Sequence, residues 1–399
     1  MAKKQPKPTS SDTSESHYEG DLKSRFSAFQ GHLLESISSY AASTSASLSE
    51  AGITDAEQLV AIAAIPEARP FLMEHLALTE SELDSLVEEA SSLLPPQILS
   101  TVESPLPPLF PLGALEPTSE MKSAELAYTL SAPEAVSLPA AVNLIARMSP
   151  IRNQAQRGTC VAFAVTAINE YYRRTLGRVV DLSEQHSYFE TKLIDGSPAA
   201  CGTWQVKAAQ ALANRGQCRE AVWPYNPNPP CNNHGPLPAN ARPDGINYRL
   251  QLQQLPSNNV NTIKSRLASR QPVGISIAVY NSWYLSASVR NTGRITTRLG
   301  SEPLAGGHAV CLVGYQDDAA APGGGYFILR NSWGTSWASL APYGRGYGTI
   351  PYRYIATDCW EAFALAAPVS QEDEEPHDQG GETKPARTLT ITVKRCGLD

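Results

Sequence analysis

An α+β fold preceded by a separate all-helical unit is the architecture that this 399-residue chain predicts, and three observations predict it. Beyond about residue 137, helix-patterned segments come before strand-patterned ones. That order argues against a doubly wound βαβ sheet and for a helical half facing an antiparallel sheet half. A second group of helical patterns lies before residue 94, and a proline-rich stretch over residues 95–136 separates the two. With 42% apolar residues the chain can bury a real core, and its length leaves room for two or three units.

From the N-terminus, residues 1–20 are rich in Lys, Pro, Ser and Thr with nothing apolar to bury, which predicts disorder. Leu22, Phe26, Phe29, Leu33, Ile37 and Tyr40 then recur at helical spacing. Thr54-Asp55-Ala56-Glu57 and Thr79-Glu80-Ser81-Glu82 read as capping boxes that open two further helices. Residues 21–94 thus form a helical domain, expected to serve as an adaptor for a protein partner or as a pro-region. Within it, "AGITDAEQLVAIA" has the flavour of a helix-hairpin-helix, but only Gly52 stands where such hairpins carry two glycines, and its surroundings are acidic. Packing or adaptor use is the better reading.

In the main unit, residues 137–367, helices are expected over 160–175, 183–194, 203–215 and 260–270, and strands over 272–280, 307–315, 326–333 and 347–355. The tail, residues 368–399, reads as an acidic spacer followed by one alternating β-like segment, "RTLTITVKR".

Charge and motif content exclude several classes. The formal charge of −7 argues against a broad field for nucleic acid or anionic lipid. No stretch has the apolar length to span a bilayer, and the N-terminus shows no signal peptide, so a cytoplasmic location is expected. Seven cysteines include no CxxC pair and leave one over, which fits neither a zinc ribbon nor a complete disulfide framework. No metal or other cofactor is expected.

The unpaired thiol has a candidate. In "RNQAQRGTCVAFAV", Thr159 is placed to be an N-cap and Cys160 the first helical residue, where the helix dipole and free N–H groups stabilise a thiolate. His308, at the head of the β-like run "AGGHAVCLVGY", is the candidate base. Asn331, in "ILRNSWGTSW", offers an amide oxygen to the second imidazole nitrogen without adding charge, and Trp333 is placed to shield the pair from water. Gln154, six residues before the cysteine, could donate its side-chain amide to an oxyanion alongside the Cys160 N–H.

These residues carry a resemblance. "NQAQRGTCVAFA", "LSEQ", "GGHAV" and "RNSWGTSW" occur in the order found in papain-like cysteine proteases of the bacterial type, and the 148-residue interval from Cys160 to His308 is close to the roughly 130–150 expected of such enzymes. The resemblance implies a two-lobed fold, a helical lobe and an antiparallel sheet or barrel lobe, with a polypeptide substrate in the cleft between them. It implies Cys160 as nucleophile, His308 as acid/base, Asn331 as its orienting residue and Gln154 as oxyanion donor. Gly202 in "CGTW", Trp333 and Ala309 fall where the family contacts substrate. Arg157 replaces a cysteine usual in the family, which leaves Cys201 without its customary partner. Cys218 and Cys231 could approach each other, although a reducing compartment is expected to keep them apart.

The activity expected is that of a cysteine endopeptidase, self-inhibited or self-processed where residues 95–137 border the cleft. The alternatives are a catalytically vestigial binding protein on the same fold, or a transpeptidase or ligase that resolves the acyl-enzyme with an amine.

Overall fold

A computed structural model describes residues 31–34, 37, 42–107, 110–122 and 137–366. The predicted disordered N-terminus, most of the stripe from Leu22 to Tyr40, and the 368–399 tail lie outside these residues.

The N-terminal unit is built from α1 (Ala42–Ala51), α2 (Ala56–Ala63), α3 (Arg69–Leu76), α4 (Glu80–Ser92) and α5 (Pro96–Val102). Thr79 caps α4 in the reciprocal box with Glu82, as its spacing predicts. The other box is displaced by one residue: Asp55, not Thr54, accepts the Gln58 N–H, and Gln58 Oε1 in turn accepts the Thr54 N–H. Helix α5 was not foreseen within the proline-rich stretch. Pro96 sits in its first turn, where a missing N–H costs nothing.

This unit buries Leu48, Ile53, Leu59, Ile62, Leu72 and Leu83 in one cluster that also takes in Leu299 from the main unit. The hairpin between α1 and α2 faces the protein itself. Thr297 donates its N–H to the Ala51 carbonyl, Arg294 binds Asp55 and Thr54, and Arg353 pairs with Glu50. The edge that a helix-hairpin-helix would offer to a phosphate backbone is thus turned to a protein surface.

In the main unit, α6 (Cys160–Thr175), α7 (Glu184–Lys192) and α8 (Gln205–Arg215) form the helical half. Facing them is a seven-stranded antiparallel sheet: β1 (Ala141–Asn143), β2 (Leu252–Leu255), β3 (Val273–Tyr280), β4 (Leu304–Asp317), β5 (Gly325–Arg330), β6 (Tyr347–Pro351) and β7 (Cys359–Leu365). The order is β2-β7-β3-β4-β5-β6, with β1 also on β4, and the sheet is not closed into a barrel. Every residue of β3 is buried, which its unbroken apolar run requires.

Two expected bounds shift in ways that bear on the cleft, and one central strand was not expected. The strand expected over 347–355 stops at Pro351, and Tyr352 begins a helix (Tyr352–Asp358). The helix expected from 203 starts at Gln205, because residues 202–203 form part of the cleft wall. Strand β7 escaped the pattern because Glu361 is a buried carboxylate in its middle. It accepts the N–H groups of Gln205 and Val206, capping α8 from the sheet half and tying the two halves together.

Candidate active site

Cys160 opens α6 and is fully buried. Thr159 precedes it as the capping residue, but makes no side-chain cap; its hydroxyl bonds Tyr225 Oη at 2.7 Å instead. The free amides of the first turn therefore stay available. Across the cleft, His308 lies on β4, paired in register with Ile277 of β3, so its backbone is held by the sheet. His308 Nε2 meets Asn331 Oδ1 at 2.8 Å, which leaves Nδ1 for the cysteine side; Nδ1 is buried with no hydrogen-bond partner. Asn331 Oδ1 also accepts the Ser332 N–H. Trp333 stacks on the imidazole with ring centroids 4.4 Å apart. Ala309 directs its backbone N–H at Cys160 Sγ, 3.4 Å away.

Gln154 is oriented from both ends. Its Oε1 accepts the Ser332 hydroxyl at 2.7 Å, which forces Nε2 toward the cleft. There Nε2 donates to the carbonyls of Arg157 and Pro111, both at 2.8 Å. Pro111 belongs to a strap whose described residues, 106–107 and 110–116, run through the cleft. Gly113 and Ala114 donate to the Gly307 carbonyl, Thr203 donates to the Gly113 carbonyl, and Leu115 donates to the Thr203 carbonyl. Gly113 has no room for a side chain: a Cβ there would lie 2.2 Å from the Gly158 oxygen.

The structure places Gly202 in the cleft wall, with its own polar groups turned inward. Its N–H goes to Tyr188 Oη and its carbonyl accepts Lys192 Nζ at 2.9 Å. Thr203 is the residue that offers N–H and C=O to an extended chain. Behind it, Lys192 Nζ and the Thr203 hydroxyl both bond Asp195 Oδ2, and this ion pair is buried. Thr203, Ser332, Lys192 and Asp195 were missed in the sequence, where no local pattern marks them.

Cys201 has a partner after all. It is bonded to Cys231, not left alone, and Cys218 stays a buried free thiol. Arg157 fills the place of the expected cysteine. Its buried guanidinium donates to Gln185 Oε1 and to the carbonyls of Asn226 and Cys231, so it holds the loop that supplies the new bridge.

Burial under the strap sets the charge state. It pushes the Cys160 thiol up to about 11, against the opposing backbone amides of Ala309 and Gly113, and drives His308 down to about 4, against its bond to Asn331. The covered pair is held as neutral thiol and neutral imidazole, whereas the sequence leads one to expect a thiolate at Cys160. A covered thiol is a poor nucleophile.

Comparison with known proteins supplies a frame for this geometry. A family model described as papain family cysteine protease matches residues 138–350. An uncharacterized peptidase C1-like protein of Acanthamoeba polyphaga mimivirus is 25% identical over 235 residues, covering 56% of this chain and 68% of its own length. Ananain of Ananas comosus is 27% identical over 222 residues, and the match spans 55% of each chain, little more than half of ananain. The crystal structure of xylellain, a cysteine protease from Xylella fastidiosa, shares the fold with a TM-score of 0.53 at 24% identity, over 64% of this chain and 95% of that one. Among the described residues no group of His, Cys, Asp and Glu side chains is arranged to hold a metal ion, and no helix is long and apolar enough to cross a membrane.

Proposed function

Because the chain belongs to the papain family of cysteine proteases, we propose that it is a cysteine endopeptidase whose strap keeps it inactive until displaced. The observation that carries this reading is the convergence of Cys160, the His308–Asn331 pair and the Gln154 amide on the point that the strap occupies.

In the uncovered site, Cys160 Sγ as thiolate attacks the carbonyl carbon of the scissile bond. The carbonyl oxygen becomes an oxyanion that takes hydrogen bonds from Gln154 Nε2 and the Cys160 N–H. The imidazolium of His308, its ring set by Asn331, gives its proton to the departing amine nitrogen, leaving a thioester. His308 then takes a proton from water, whose oxygen attacks the thioester; the acid product leaves, and the thiolate and imidazolium are restored.

The same geometry explains why the strap inhibits instead of being cut. The leaving group must sit on the His308 side, where Trp333 lies, and the acyl side of a substrate must lie along Thr203. A substrate therefore runs N to C from Thr203 toward Trp333. The strap runs the other way, from Phe110, stacked on Trp333 at 4.9 Å, to Leu115 at Thr203, and its bridge there is parallel. A reversed chain fills the cleft without presenting its bonds in the order that the catalytic groups serve.

The test is intact-mass labelling of the full chain with an epoxysuccinyl peptide inhibitor, beside Cys160→Ala, with fluorogenic peptide turnover in parallel. In the unaltered chain both should be slow, and loosening the strap by Gly113→Val should give one adduct that requires Cys160 and turnover that is lost when Cys160→Ala is added. Labelling and turnover both absent even after the strap is loosened by Gly113→Val would sink the hydrolase reading.

A further inference from the structure

The ring of Phe110 is held between two faces. Below it lies Trp333, with centroids 4.9 Å apart and planes 6° from parallel. Above it the Arg290 guanidinium stands 5.7 Å from the ring centroid, and the same group donates to the Pro107 carbonyl. Tyr284 gives its hydroxyl proton to the Phe110 carbonyl and packs its own ring 5.9 Å from Trp333. Trp283 and Trp337 back the indole from behind, so the platform cannot tilt away. Arg290 and Tyr284 come from the segment between β3 and β4, which none of the catalytic motifs includes.

The next residue, Pro111, has its carbonyl on the Gln154 amide. Phe110 therefore occupies the space beside the oxyanion donor on the leaving-group side. With the strap withdrawn, that space is a flat indole facing a guanidinium. An aliphatic side chain could fill it, but could neither stack on the indole nor attract the cation.

We infer that this sandwich of Trp333 and Arg290, completed by Tyr284, is a specificity site for an aromatic residue immediately following the scissile bond of a polypeptide substrate. The inference rests on the hydrolase reading above. Phe110 is the chain's own occupant of that site, and it anchors the strap there.

Full-length chains carrying Phe110→Ala, Phe110→Leu or Phe110→Tyr are compared with the unaltered chain by the rate at which iodoacetamide alkylates Cys160. The Ala and Leu variants are expected to react about tenfold faster, and the Tyr variant within about threefold of the unaltered chain. If Leu protects as well as Phe, the site is a general apolar hollow and the inference fails. The Phe110→Ala chain is then given fluorogenic peptides that differ only in the residue after the cut: Phe, Tyr, Leu or Ala. The aromatic pair should be favoured about tenfold in kcat/KM, and adding Arg290→Ala should shrink the preference to about threefold or less. Equal turnover of all four peptides, or a preference that survives Arg290→Ala, overturns the assignment. Alkylation of Cys160 without hydrolysis of any peptide would instead refute the hydrolase reading, and the alkylation series would then decide the aromatic site alone.

Discussion

Gln154 spends its side chain on a single orientation: Ser332 takes the oxygen, so the amide protons have to face the cleft. Gln154→Glu keeps the shape but turns a donor into an acceptor. With the strap loosened, steady-state kinetics should show kcat falling by about 10²–10³ with KM little changed. The charge state yields a second prediction. His308 is depressed to about 4 under the strap, against an ordinary value of 6.5, so the closed form is fully favoured above the ordinary value and loses ground as pH falls toward 4. Cys160 is raised to about 11 from 9.0, so the closed form also loses ground as pH climbs from 9.0 toward that value. In a Cys160→Ala chain, where no thiolate can hold the imidazolium of the open site, strap opening at pH 5 should therefore be favoured about twentyfold over its level at pH 7. A tryptophan-emission change across pH 4–7 that disappears in His308→Gln would show it; a flat trace would refute it. Cys160, His308, Asn331 and Gln154 were legible because each sits in a short motif whose local chemistry is diagnostic. Thr203, Lys192 and Asp195 were not, since their roles exist only once a loop folds back on a helix end. Arg157 could be read only as a missing cysteine, because the loop that it grips arrives some seventy residues later.

At the scale of elements, the strap has one position that tolerates no side chain. Gly113→Val would drive a side chain into the Gly158 carbonyl, so the strap cannot seat. Turnover of a fluorogenic peptide by the full chain should rise at least about tenfold; unchanged turnover would mean that the strap is not the brake. The opposite wall has its own support. Lys192→Met strands the buried Asp195 carboxylate, and should lower stability by roughly 3–5 kcal/mol in denaturant titration, whereas replacing both partners by apolar residues should recover most of that loss. The sequence made the strap readable as extended chain bordering the cleft, because prolines forbid helix, but not its direction or its partners there, which depend on backbone bonds to Gly307 and Thr203. Helix α5 was hidden for a related reason: Pro95 and Pro96 look like linker, although a proline in the first turn begins a helix as readily as it ends one. Strand β7 was hidden by Glu361, whose charge breaks the apolar alternation while its carboxylate caps α8.

In the whole molecule, the helical unit and the strap form one continuous device, since α5 ends at Val102 and the strap is bonded to the main unit from Leu106 onward. The unit is clamped to the sheet half by Arg294 on Asp55 and Thr54, by Arg353 on Glu50 and by the Thr297 amide on Ala51, with Leu299 inserted into its core. Anchoring the unit shortens the tether that holds the strap near its seat, and a short tether sustains a high effective concentration of strap in the cleft. Loss of the anchor should therefore open the site even though every strap contact is intact. Arg294→Glu sets a carboxylate against Asp55, at a pair whose acid is nearly buried, and repulsion there should release the unit. Alkylation of Cys160 by iodoacetamide is expected to quicken by about threefold to tenfold. The charge-reversed double variant, Asp55→Arg with Arg294→Asp, should return it toward the original rate. If the single variant undocks the unit, as read by thermolysin cleavage at its leucines and isoleucines within residues 42–102, and yet alkylation stays slow, then the cleft contacts hold the strap unaided and the helical unit has another task.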